Sequence, residues 1–188
     1  MSNPIIFLIN TVGSLYVMAI LLRFLLQLVR ADFYNPISQA IVKITAPPLN
    51  ILRRIIPGFG GFDVAALVLA FIIQTIFIIT KMQILGYMAF PPGTIAFISV
   101  YELIIKVLDI YTFALFIVVI ASWVAPGSYN PGLMLLLQLT DPICNKVRNV
   151  LPSLGGLDFS VMVVMFGIFF LKSSVLPTLF SYAGLPGI

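Results

Sequence analysis

Histidine is missing from this chain, and cysteine occurs once, at position 144. No imidazole is therefore available to ligate a metal or to act as a general base near neutral pH. A lone cysteine excludes an intramolecular disulfide. Cys144 has no base or metal ligand beside it and reads as apolar filler. Charge is scarce as well: Asp, Glu, Lys and Arg make up 9% of the 188 residues, against about 25% in soluble domains. With 61% hydrophobic residues and a mean hydropathy of +1.17, the chain lacks the polar side chains to cover itself in water. It reads as an all-α, polytopic helical membrane protein.

What the sequence does have is long apolar runs. Four stand out: residues 5–29, 64–80 with an extension to about 88, a stretch within 95–124, and 159 to roughly 181. Each is long enough to cross a ~30 Å hydrocarbon core as a helix. Unpaired backbone is not tolerated in lipid, so helices are the expected form. The first run has no basic stretch before it and no small-residue cleavage site after it, so we expect a retained helix, not a signal peptide. The third is the hardest to bound, because residues 95–124 would make a helix ~45 Å long. We place its membrane part at 100–124, with 94–99 in the interface or extending the helix. A fifth helix would need a break near Lys106–Asp109, and no Pro or Gly lies there.

The chain also carries one segment twice. Residues 34–63 and 129–158 align at an offset of 95 without a gap, and 11 of the 30 positions are identical. The shared positions include Asn35/Asn130, Pro36/Pro131, Thr45/Thr140, Pro47/Pro142, Asn50/Asn145, Arg53/Arg148, Pro57/Pro152, Gly60/Gly155, Gly61/Gly156 and Asp63/Asp158. We read two repeats, residues 1–93 and 94–188, each with two transmembrane helices and one such loop. Arg30, Lys43, Arg53 and Arg54 lie in the first loop, and Lys146 and Arg148 in the second. The excess of basic residues predicts cytoplasmic loops with periplasmic termini. The halves are then parallel repeats, not inverted ones.

Within each loop, Asn35 or Asn130 caps a helix that opens on Pro36 or Pro131. Pro47-Pro48 and Pro142 should stop that helix and begin another, so two short interfacial helices per loop are expected. Residues 133–139 are more apolar than their counterpart and either lie deep in the interface or re-enter the membrane. Gly60-Gly61 permits a sharp turn, and Asp63 and Asp158 cap the second and fourth spans.

Arg53, Arg54, Lys146 and Arg148 are candidate lipid- or partner-binding residues. Phosphate gripping and the setting of topology are both open to Arg53 and Arg148. Candidate intramembrane polar groups are Arg23, Glu102, Lys106, Asp109 and Lys172. We expect Arg23 to snorkel toward headgroups. Glu102, Lys106 and Asp109 share a helix side. Lys172 is placed to pair with Glu102 or Asp109, or to snorkel outward. No nucleophile–base pair, phosphate-binding glycine loop or metal cluster is found, so neither an enzyme nor a cofactor is expected.

The repeated pattern NP-x8-T-x-P-xx-N-xx-R-xxx-P-xx-GG-x-D resembles the YggT family of small multi-pass bacterial inner-membrane proteins, over nearly the whole chain. Family members often continue as D-x-S-P. Here Asp63 is followed by Val64-Ala65, and Asp158 by Phe159-Ser160 without the Pro. The resemblance implies a non-enzymatic protein associated with osmotic or salt tolerance. The expected function is a scaffold or assembly factor in the inner membrane. Anionic lipids and a membrane-protein partner or a second copy are the expected contacts, and nucleic acid is not. The alternative is an oligomeric ion channel or transport component.

Overall fold

The computed structural model describes residues 4–58, 61–86, 90–124, 127, 129–150 and 159–182. In chain order the helices are α1 (Pro4–Leu28), α2 (Pro36–Arg53), α3 (Val64–Leu85), α4 (Pro92–Val124), α5 (Pro131–Arg148), α6 (Phe159–Phe170) and α7 (Leu176–Tyr182). A π-helical turn, Leu171–Val175, joins α6 to α7. Four stretches are long and apolar enough to cross a membrane: Ile6–Leu28, Val64–Leu85, Pro92–Val124 and Phe159–Ser181. The all-α polytopic reading holds. Residues 94–99 extend the third helix, which runs unbroken past Lys106 and Asp109.

The chain forms two compact units. One comprises residues 1–28 and 40–107, and the other residues 29–39 and 108–188. In the first unit α1 packs along α3. Gly13, Val17, Ile20 and Leu21 form the buried stripe of α1 at helical spacing, and Ala65, Ala66, Leu69 and Ala70 form that of α3. Small residues let helix backbones approach closely where lipid supplies no hydrophobic drive between them. Gly13 marks the tightest point, since a Cβ there would sit 2.5–2.7 Å from the Phe77 ring. Gly13→Ala is expected to destabilise the protein by about 1 kcal/mol, because the ring end can swing partly aside. Pairing it with Phe77→Leu should recover most of the loss in a detergent melt.

Gly86 ends α3 in the left-handed conformation at φ 71°, its N–H bonding the Gln83 and Met82 carbonyls. In the second unit α5 packs against α6. Ile110, Ala114 and Leu115 of α4, Leu135, Leu139 and Cys144 of α5, and Val161, Val164 and Ile168 of α6 are its buried residues.

Both loops correct the expectation of two short helices. α2 continues through Pro47-Pro48 and α5 through Pro142, so each loop holds one 18-residue helix. A proline inside a helix removes an N–H and crowds the carbonyl four residues back. The carbonyls left without an N–H are those of Lys43, Ile44 and Gln138, and the side-chain bonds nearby go to other carbonyls of the preceding turn. Thr45 Oγ1 donates to the Ile41 carbonyl at 2.7 Å, and Arg23 Nη1 donates to the Val42 carbonyl at 3.3 Å. Thr140 Oγ1 repeats the first contact on Leu136 at 2.9 Å. The segment 133–139 is part of α5, with Leu135 and Leu139 buried and Met134 outward.

In the fourth span Pro177 has no N–H for the Ser173 carbonyl four residues back. The chain widens there, and the Leu176 N–H bonds the Leu171 carbonyl five residues back.

Candidate functional site

The first loop helix turns two hydroxyl side chains inward and an apolar stripe outward. On α2 the buried residues include Ser38, Thr45 and Leu49, while Ile37, Ile44, Ile51 and Ile55, at the loop's end, are 42%, 58%, 66% and 74% exposed. In a soluble protein this would be inverted. Beside a bilayer it is consistent, because an outward apolar stripe meets acyl chains while Thr45 on the inward face hydrogen-bonds. Lys43 and Arg54 stand exposed on the same segment.

Beneath α2 lies a buried polar cluster. Arg23, 6% exposed, donates from Nη1 to Thr45 Oγ1 at 2.9 Å. Its head therefore points into α2, which corrects the expectation that it snorkels to headgroups: a partner one helix away satisfies it without reaching water. Arg53, in the last turn of α2, forms an ion pair with Asp63, which is 3% exposed. Asp63 also caps α3, its Oδ1 accepting from the Ala66 N–H at 3.3 Å. Gly61, at φ 87°, takes the left-handed turn between α2 and this cap. Arg23 lies close enough to Arg53 and Asp63 to feel both charges. The structure thus joins Arg23, Arg53 and Asp63, three residues the sequence placed in three separate roles. Thr45 connects them to α2. Its recurrence as Thr140 was the available signal, and both are buried, at 0% and 2% exposed.

In the second unit Asn130 caps α5, its Oδ1 accepting from the Gly132 N–H at 2.8 Å. Asn35 caps α2 likewise through the Ile37 N–H at 2.9 Å. Asn35 Nδ2 also donates to the Pro131 carbonyl at 2.7 Å, and the Asp32 N–H donates to Gln138 Oε1 at 2.9 Å. Residues 32 and 35, at the start of the first loop, are thereby fastened to α5. Arg148 Nη1 donates to Asn145 Oδ1 at 2.6 Å, while Lys146 is exposed. Asn50 is exposed, and Pro57 lies beyond the end of α2. Gly60, Pro152, Gly155, Gly156 and Asp158 lie outside the described residues.

The intramembrane candidates form two separate pairs. Lys106 Nζ meets Glu102 Oε2 at 3.1 Å one helical turn away. Lys172 pairs with Asp109 from within the π-helical turn. Asp109 therefore leaves the line it shares with Lys106 in sequence and joins the fourth span. A polar contact missed in the sequence links α3 to α4 in the first unit, where Thr75 Oγ1 and Ser99 Oγ lie 2.8 Å apart.

The family description CCB3/YggT matches residues 2–84 and again residues 97–179, with both ends displaced by 95 positions. The chain is similar to a protein of Pseudomonas aeruginosa, 46% identical over 189 residues that cover 99% of this chain and 95% of that protein. It is similar to a protein of Vibrio alginolyticus, 39% identical over 89% of this chain and 91% of that one. It is also similar to the protein YggT of Escherichia coli K12, 36% identical over 92% of this chain and 89% of that one. No solved structure matches it significantly.

Proposed function

This chain belongs to the CCB3/YggT family, and on its geometry we propose that it is a scaffold or assembly factor of the bacterial inner membrane, working through its two loop helices. The observation that carries the reading is the outward face of α2. There an apolar stripe, Ile37, Ile44, Ile51 and Ile55, runs beside exposed Lys43 and Arg54. That combination suits a helix lying in the plane of a membrane surface, with cations at headgroup depth. On α5 Lys146 is an exposed cation, at the position equivalent to Ile51. We assign both loops to the cytoplasmic side and the termini to the periplasm, with residues 1–93 and 94–188 as the two repeats. Osmotic or salt tolerance is the physiological setting the family resemblance suggests. The contacts are anionic lipid together with a membrane-protein partner or a second copy.

Arg53 is spent on Asp63, so the test falls on the outward cations. Photo-crosslinking in cells from the positions of Arg54 and Lys146 should capture a defined partner set. Arg54→Gln/Lys146→Gln should lower that capture and the enrichment of anionic lipid around the purified protein, each charge contributing about 1 kcal/mol. An unchanged partner set and unchanged lipid enrichment in a folded double variant would remove the proposal's basis.

A second reading, an oligomeric ion channel or transport component, is favoured by one observation. The Asp109–Lys172 pair stands at a π-helical turn inside the fourth span, and such turns recur at functional sites. Ion flux in proteoliposomes, abolished by Asp109→Asn, would select this reading. Wild-type vesicles impermeable under osmotic and voltage stress would reject it.

A further inference from the structure

At the end of the first unit opposite α2, a cleft of about 240 Å³ opens between α1, α3 and α4. Its polar lining is Asn10 and Ser14 of α1, Gln74 and Lys81 of α3, and Glu102 and Lys106 of α4. Gln74 is the informative member. It sits in an otherwise apolar stretch of α3, is 7% exposed, and has no hydrogen-bond partner among the described residues. Its amide opens to the cleft, since the one fully enclosed, unpartnered polar side-chain atom among the described residues is Ser38 Oγ. Facing a cleft, the amide is suited to a polar occupant.

Charge narrows the occupant. Lys106 is bound to Glu102 at 3.1 Å, whereas Lys81 meets no acidic group among the described residues. The cleft therefore keeps one uncompensated positive charge, surrounded by neutral amide and hydroxyl donors. Lysines act as point charges and suit phosphate, whereas planar carboxylates favour the bidentate fork of arginine. Size agrees: a water takes roughly 30 Å³ of liquid volume, so the cleft has room for about eight waters or one compact headgroup. Depth agrees too. α3 ends at Leu85, which puts Lys81 ~6 Å from the helix end and level with a headgroup layer.

We propose that this cleft binds a phosphate-class monoanion, either the phosphodiester of a membrane lipid headgroup or free phosphate. Lys81 supplies the charge and Gln74 and Ser14 the hydrogen bonds. The inference rests on the membrane spans and not on the role of the loops. Glu102 orients Lys106 and leaves room for a cationic headgroup amine beside its carboxylate.

The test is native mass spectrometry of the delipidated full-length protein in detergent, titrated separately with dihexanoyl phosphatidylglycerol and with inorganic phosphate. Saturable one-to-one binding of the lipid alone identifies the headgroup as ligand, and binding of both identifies the free anion as sufficient. Lys81→Gln and Gln74→Leu should each weaken binding about tenfold, as expected for the loss of one charge-assisted or buried hydrogen bond. Lys43→Gln, on α2, should leave it unchanged. The proposal is overturned if neither probe binds saturably. It is equally overturned if both cleft variants melt like the wild type and bind like it.

Discussion

Asp63→Ala should destabilise the protein by about 3 kcal/mol, more than other single side-chain truncations in the loop regions. Two losses combine. The α3 cap disappears, which costs about 1 kcal/mol. The Arg53 guanidinium loses its carboxylate, worth about 1.5–3 kcal/mol for a hydrogen bond to a charged group, at the lower end because Arg53 is 35% exposed. Asp63→Asn separates the two losses: it keeps an oxygen for the Ala66 N–H and removes the charge, so about half the effect should remain. Arg53→Ala should fall between the two, because Asp63, 3% exposed, keeps its cap and the nearby Arg23. Melting curves in detergent give the order directly. An Asp63→Ala protein as stable as the wild type would show that the cluster does not hold α2 to α3.

The spans were legible in the sequence because lipid imposes a simple rule on length and polarity. Asp63 was legible as a cap for the same kind of reason, since the signal is local. The Arg53–Asp63 pair was not, because it depends on a chain reversal through Gly61 that brings the end of α2 back beside the start of α3. Read singly, Arg53 is an unexplained cation, and its weight moved to a lipid-gripping role that exposed Arg54 and Lys146 fit better. The prolines misled in the other direction. Pro47-Pro48 in a free helix is a stop, with each interior proline costing about 3 kcal/mol. In this protein α2 nevertheless passes through both prolines, and a threonine hydroxyl and an arginine from α1 bind the Ile41 and Val42 carbonyls just before them. Hydrophobic patterning on α2 is consistent with the interfacial reading. It marks which residues share a face, and beside a bilayer the apolar face points outward. Gln74 went unnoticed because a single glutamine in a 22-residue apolar helix carries no sequence signal until its neighbours are known.

The Arg23–Thr45 contact yields the second large effect, and its sign depends on which partner is removed. Thr45→Val keeps the volume and deletes the hydroxyl that accepts from Arg23 at 2.9 Å. Arg23, 6% exposed, then retains the Val42 carbonyl at 3.3 Å, and the expected cost is about 2 kcal/mol. Arg23→Met removes the charge instead. A buried ionic group replaced by an apolar one of similar length is often neutral or stabilising, and the equivalent position of the second repeat is Val118. Arg23→Met should therefore change stability by less than about 1 kcal/mol, although Thr45 loses its donor and Asp63 a nearby cation. The double variant should then be more stable than Thr45→Val alone, since no buried guanidinium is left without its hydroxyl. A coupling energy of about 1–2 kcal/mol across this cycle is expected for residues in direct contact. Additive effects would mean that Arg23 is held mainly by the charge of Asp63. In that case Arg23→Met should couple with Asp63→Asn and not with Thr45→Val. The two cycles together decide whether this buried cation is fastened to the loop helix or to the cap of the second span.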